Sequence, residues 1–148
     1  VELAIVSDTH IPRGDRAIAA ACLQRCAQAD LILHAGDLAD LSVLRSLQSL
    51  GPPVHAISAN VDNDAVRAAV PDRLELELAG VRIGMVHIRG PADGPLARLR
   101  ARFPECQAVI FGHTHMAAHA EHEGFQIFNP GSPTERRRAP CTRWASPG

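Results

Sequence analysis

Apolar positions come in short blocks, and the spacing within each block predicts an element. Residues 2–7 hold four consecutive apolar side chains with little alternation, the pattern of a strand covered on both faces. Behind Asp15, an expected N-cap, Ile18, Cys22 and Cys26 recur at helical spacing with Leu23 and Ala27 beside them. Residues 31–34 predict a second strand. Residues 38–50 predict a second helix, with Leu41, Leu44 and Leu47 on one face and Gly51-Pro52-Pro53 as its stop. A third strand is expected over 54–58 and a short helix over 62–70, ended by Pro71. The period then changes from helical to alternating. Residues 74–78 and 81–86 flank Ala79-Gly80 and predict a hairpin; 96–103 read as a helix and 108–111 as a buried strand. Residues 117–121 and 125–128 predict a last hairpin around Glu123-Gly124, and no clear element is expected in the tail from Ala139 onward. Strand–helix alternation followed by hairpins indicates an α/β protein with mixed sheets.

At 148 residues the chain is expected to form one domain over residues 1–148, large enough to bury a core. Aromatic residues are only 3% of the total, so Leu, Ile, Val and Ala must fill that core. A net charge of -1 gives no electrostatic case for a nucleic-acid or anionic-membrane partner. No apolar run is long enough for a membrane span or a signal-peptide core, and the four cysteines lack zinc-type pairing. A reducing, cytoplasmic setting is expected. The tail suggests an incomplete or altered C-terminus, and an uncovered sheet edge there would favour homo-oligomers.

Against this background, seven Asp, Asn and His side chains stand directly after predicted strands: Asp8, His10, Asp37, Asn60, His87, His113 and His115. In open α/β sheets the ligand crevice lies beyond the C-terminal strand ends, so these groups are expected to converge there. Carboxylate, amide and imidazole without thiolate suit Mn, Fe, Ni, Co or catalytic Zn rather than structural zinc or calcium. Mn2+ is the expected ion. Asp37, between Gly36 and a predicted helix start, is the candidate bridge between two cations about 3.5–4 Å apart that share a water. Such a site hydrolyses phosphate esters. Each motif alone has a plainer reading: Asp40 caps the second helix, Asp62 caps the third, and His34 and His55 are structural. The agreement of all five motifs in order and chemistry favours the metal site.

Asp8-Thr9-His10, Gly36-Asp37, Asn60-Val61-Asp62, His87 and Gly112-His113-Thr114-His115 together resemble the ordered signature of the calcineurin-like metallophosphoesterases. Asn129-Pro130-Gly131-Ser132 resembles the closing motif of the small bacterial and archaeal phosphodiesterase branch, and the likeness runs from Leu3 to Arg138. The resemblance implies a four-layer αββα sandwich with two mixed sheets flanked by helices and a dinuclear site at its rim. It implies that Asp8, His10 and His115 hold one metal, that Asn60, His87 and His113 hold the other, and that Asp37 bridges. Catalysis would then run through Asp37, Asn60, His87 and His113, with a metal-bridging hydroxide attacking the phosphorus of a small phosphate ester, nucleotides among the candidates. Asn60 and Arg89 would contact substrate.

Three departures mark this chain. Ala59 replaces a common Gly, Val61 stands where many members have a leaving-group His, and Ile88-Arg89-Gly90 follows His87 where Gly-His is common. Without that acid, His119, His122 or Arg89 are left to stabilise the leaving group, and Arg136-Arg137-Arg138 read as a solvated charged tail. The leading expectation is a phosphodiesterase. A phosphomonoesterase or protein phosphatase and a non-catalytic interaction scaffold are the alternatives.

Overall fold

The computed structural model describes residues 1–9, 18, 20–59, 62–91, 93–114 and 116–132, together with the backbone of 142–145. In chain order the elements are β1 (Glu2–Val6), α1 (Ala20–Gln28), β2 (Leu31–His34), α2 (Leu41–Gln48), β3 (Val54–Ala56), α3 (Asp64–Ala69) and β4 (Arg73–Leu78). They continue with β5 (Val81–Val86), α4 (Pro95–Arg102), β6 (Ala108–Ile110), β7 (Ala118–His122), β8 (Phe125–Asn129) and β9 (Thr142–Ala145). One sheet has the order β3-β2-β1-β9 and the other β4-β5-β6-β8-β7. In the first, β1, β2 and β3 are parallel and β9 antiparallel; in the second, β5, β6 and β8 are parallel, with β4 and β7 antiparallel at the edges.

Alternation along the strands builds three apolar layers. On β1, Ala4 and Val6 face Cys22, Cys26, Leu44, Leu47 and Val66 of α1, α2 and α3. Leu3 and Ile5 face the other way, where with Leu31 and Leu33 they meet Ile83, Met85 and Ile110 of the second sheet. That sheet's outer face, carrying Val109, Phe125 and Ile127, is covered by Leu99 and Phe103 on and beside α4. The expected αββα sandwich is what the chain forms. Strands apolar on both faces need cover on both sides, which the facing sheet and the outer helices supply. Both hairpins turn where predicted: Ala79-Gly80 and Glu123-Gly124 each take positive φ at both central residues, as a tight antiparallel turn needs.

Several expectations are corrected. α2 begins at Leu41, not at residue 38, because Asp37 and Ala39 take left-handed backbone (φ 63° and 70°) that cannot belong to a helix. Asp62 does not cap α3; Asn63 does, accepting from Val66 N at 3.0 Å. The tail does contain an element, since β9 pairs with β1 from Glu2 to Ile5 and covers its outer edge. A strand of four residues made by tertiary pairing carries no periodic signal in sequence. Asp40 does cap α2, accepting from Ser42 N at 3.1 Å. The expected Asp15 cap and Arg136, Arg137 and Arg138 lie outside the described residues. Among the described residues, no helix is long and apolar enough to cross a membrane.

Candidate metal centre

The C-terminal ends of the six parallel strands, three in each sheet, meet at one edge of the sandwich. β1 delivers Ser7 and Asp8, β2 delivers Gly36 and Asp37, and β3 leads through Ser58 and Ala59 toward Asn60. From the opposing sheet, β5 delivers His87, β6 delivers Gly112 and His113, and β8 ends at Asn129. Ligand atoms of Asp8, Asp37 and His87 lie within 4.8 Å of one another. All three residues are buried, at 0%, 4% and 5% exposure. His113 is outside that trio and exposed, with its ring edge-on to His87 at 5.4 Å between centroids. Its backbone N–H, however, donates to both oxygens of Asp8 at 3.2 and 3.0 Å. The predicted ligands His10, Asn60 and His115 lie outside the described residues, as does Val61.

The protonation of the site follows from its hydrogen bonds. Nδ1 of His87 is 2.8 Å from the carbonyl of Ala35, which only accepts, so Nδ1 donates there, and in the neutral ring Nε2 presents its lone pair. That Nε2 faces Oδ1 of Asp8 across 3.7 Å. Two lone-pair donors this close repel each other, a repulsion that divalent cations bound at Asp8 and at His87 would offset. The donor set therefore fits a divalent cation, with the second-neighbour carbonyl fixing the imidazole as metal sites require.

Backbone shape is specialised to the same end. Asp8, Asp37 and His113 all hold left-handed φ values of 55°, 63° and 75°, a cost the surrounding bonds must offset. Ser7 Oγ donates to Asp8 Oδ2 at 2.7 Å, and Asp8 N donates to Gly36 O at 3.0 Å. Two glycines make room. A Cβ on Gly36 would sit 2.7 Å from Nδ1 of His87, and one on Gly112 would sit 2.0 Å from Ser7 Oγ.

Further residues brace the site without having been picked out for that role. His34, expected to be structural, is fully buried; its Nδ1 accepts from Gly36 N at 3.2 Å, so Nε2 donates to Thr9 Oγ1 at 3.1 Å. It thus ties the β1 and β2 loops together. Asn129 donates to Gly112 O at 3.1 Å and to Thr114 Oγ1 at 3.0 Å, and Ser132 donates to the carbonyl of Asp8 at 2.8 Å. The Asn-Pro-Gly-Ser motif thus closes the site from behind. Asp62, buried at 5% exposure, accepts from Ala39 N and from Ala59 N, both at 2.7 Å. Its sequence signal, an acid before a helix, is the signal of a cap, which is why its actual contacts were not legible.

The three expected helpers have these contacts. The Arg89 guanidinium lies over the Phe111 ring at 5.9 Å. His119 shares a hydrogen bond of 3.0 Å with Gln126 Oε1. His122 pairs in register with Phe125, at the end of β8 opposite Asn129. β7 enters at the site edge and runs away from it for four residues, about 13 Å of strand, so His122 is removed from the leaving-group role.

Comparison with known proteins agrees with this geometry. The sequence model of the calcineurin-like phosphoesterase superfamily domain matches residues 1–144. A protein named probable metallophosphoesterase from Methanothermobacter thermautotrophicus is 35% identical over 91% of this chain and 78% of its own length. Another of that name from Methanocaldococcus jannaschii is 30% identical over 91% of this chain and 69% of its own length. Among solved structures, wild-type Vps29 of Entamoeba histolytica, complexed with Zn2+, superposes with a TM-score of 0.77 at 24% identity. That likeness covers 90% of this chain and 76% of the other, and it concerns the fold. A profile spanning nearly every residue and two relatives at this identity give one conclusion: the chain belongs to the calcineurin-like phosphoesterase superfamily.

Proposed function

We propose that this chain is a metal-dependent phosphodiesterase acting on small phosphate diesters. The observation that carries the reading is the buried trio Asp8, Asp37 and His87, drawn from three strand ends and two sheets. Asp8, His10 and His115 are assigned to one cation, Asn60, His87 and His113 to a second, and Asp37 to both. Two divalent ions, Mn2+ first among the candidates, would supply there an acidified water and positive charge against the phosphoryl oxygens.

The protein's own part is positioning and exclusion. Asp8 is locked by Ser7 and by the His113 N–H, which leaves its oxygens aimed at the cluster. His87 is oriented by the bond from its Nδ1 to the Ala35 carbonyl, which turns Nε2 toward the cluster as a ligand. No acid follows Asn60 in sequence, since Val61 has no proton to give. Leaving groups that need no protonation are therefore favoured. A scaffold role is the second reading. It draws on the resemblance to structures whose name is vacuolar protein sorting, and the retention of seven ligand-competent side chains weighs against it.

One experiment separates these: metal analysis of the purified chain, then hydrolysis of a bis-aryl phosphate with added Mn2+, beside Asp37→Ala. The expected result is bound metal, turnover of aryl diesters well above that of alkyl monoesters, and a loss of about 10³-fold in the variant. Equal rates for aryl and alkyl leaving groups would contradict the missing leaving-group acid. Undiminished turnover in Asp37→Ala would remove Asp37 from the bridge.

A further inference from the structure

We propose that Asp62 is a positioning residue that sets the Asp37 loop and the loop leading to Asn60 in one register, so that its loss weakens divalent-cation binding without unfolding the chain. The inference rests on the metal-site reading above and adds to it a residue that touches no metal. The carboxylate is 5% exposed and lies between two loops that are 23 residues apart in sequence. Oδ1 accepts from Ala39 N, two residues after Asp37, and Oδ2 accepts from Ala59 N, the residue before Asn60. Both bonds are 2.7 Å, short enough to mark charge-assisted contacts.

The geometry at each end explains why such a clamp is needed. Ala39 holds φ 70° and Asp37 φ 63°, so the segment carrying the candidate bridge runs through two left-handed residues without a glycine at either. Left alone, that stretch relaxes toward right-handed backbone, and the Asp37 carboxylate swings with it. Asp62 fixes the Ala39 N–H and thereby the turn. Its other oxygen takes the Ala59 N–H, so neither loop shifts without the other. A second link lies beside it: Asn63 Nδ2 donates to Asp40 Oδ1 at 3.1 Å, but on the exposed side and toward the α2 cap. The two neighbouring residues thus divide the work, Asp62 inward to the site and Asn63 outward to the helix starts.

The test is calorimetric titration with Mn2+ alone, alongside thermal melting in chelator, on wild type, Asp62→Asn and Asn63→Asp. Asn keeps the size of Asp but offers one oxygen to two N–H groups, so one clamp breaks. Asn63→Asp keeps the α3 cap oxygen while removing the donor to Asp40. Asp62→Asn is expected to bind Mn2+ about 10- to 100-fold more weakly, the range found for outer-shell partners, while melting cooperatively in chelator. Asn63→Asp is expected to bind Mn2+ as wild type does. Should Asp62→Asn fold poorly, Ala39→Gly/Asp62→Asn takes its place, because glycine adopts φ 70° at no steric cost. A smaller loss in the same direction is expected there, since glycine relieves the turn but does not restore the tie between the two loops. Wild-type Mn2+ affinity in either Asp62 variant, with only a lowered melting temperature, would overturn the proposal and leave the metal site standing. A wild-type chain that binds no Mn2+ would overturn both.

Discussion

Gly36 shows how little freedom the site leaves a single residue. It combines φ 98° with a Cβ direction that points into the His87 ring, so alanine there meets both a backbone and a steric cost. Gly124 in the β7–β8 turn has φ 79° but open space around it. Gly36→Ala is therefore expected to cost more than Gly124→Ala, which loses only about 1–2 kcal/mol of backbone preference. Gly36→Ala should also displace His87 and weaken Mn2+ binding, while Gly124→Ala should not. Urea unfolding and metal titration of both variants check this; equal losses in the two would mean that the His87 contact carries no energy. At this scale the sequence was legible where chemistry is unusual. Asp8, Asp37 and His87 announce themselves as polar groups ending apolar runs. Ser7, His34 and Asp62 do not, because a buried serine, a strand histidine and an acid before a helix each have a common and different explanation.

The elements carry the ligands by their ends, and the ends of α2 and α3 are stitched together. Asp40 caps α2 and also receives the Asn63 amide, while Asn63 caps α3 through its own oxygen. The Ser42 hydroxyl, the Ser42 backbone N–H and the Asn63 amide hold the Asp40 carboxyl below its ordinary value of 3.8. An acid with a lowered folded value stabilises the fold fully above its unfolded value, and the contribution fades as the pH falls through the folded value. The effect therefore appears below pH 3.8. Asp40→Asn keeps an oxygen for the cap but has no proton to gain, so its acid unfolding should lack that component. Melting temperatures of the two proteins between about pH 5 and 2 should converge as pH falls; a constant gap would argue that Asp40 does not titrate in the fold. Helix existence was readable from Leu44 and Leu47. The start of α2 was not, since the left-handed turn at Ala39 is imposed by Asp62 from 23 residues away and leaves no local mark.

Across the whole molecule, β9 is the element that sequence patterning passed over, and the first sheet ends on it. Its backbone pairs with β1 from Glu2 to Ile5, the strand that delivers Asp8. A chain ended at Pro140 would present the unpaired edge of β1 to solvent. Its melting temperature should fall by about 5 °C and it should self-associate, as unprotected edges do. Calorimetry and light scattering read the two effects, and a monodisperse truncated chain of unchanged melting temperature would show that β1 needs no cover. An α/β fold with mixed sheets was legible in the alternating and continuous apolar runs, whereas the four layers were implied only by the family resemblance.

Asp8 belongs to the first sheet and His87 to the second, and they face each other across the line where the sheets converge. Cations joined through Asp37, one held by Asp8 and the other by His87, would be a rivet through the sandwich as well as a reagent. Each tenfold rise in free Mn2+ beyond its dissociation constant should then add about 1.4 kcal/mol to the work of separating the halves. Heat resistance would track the metal supply, read as melting temperature against Mn2+ concentration, and a starved protein would come apart first along that line.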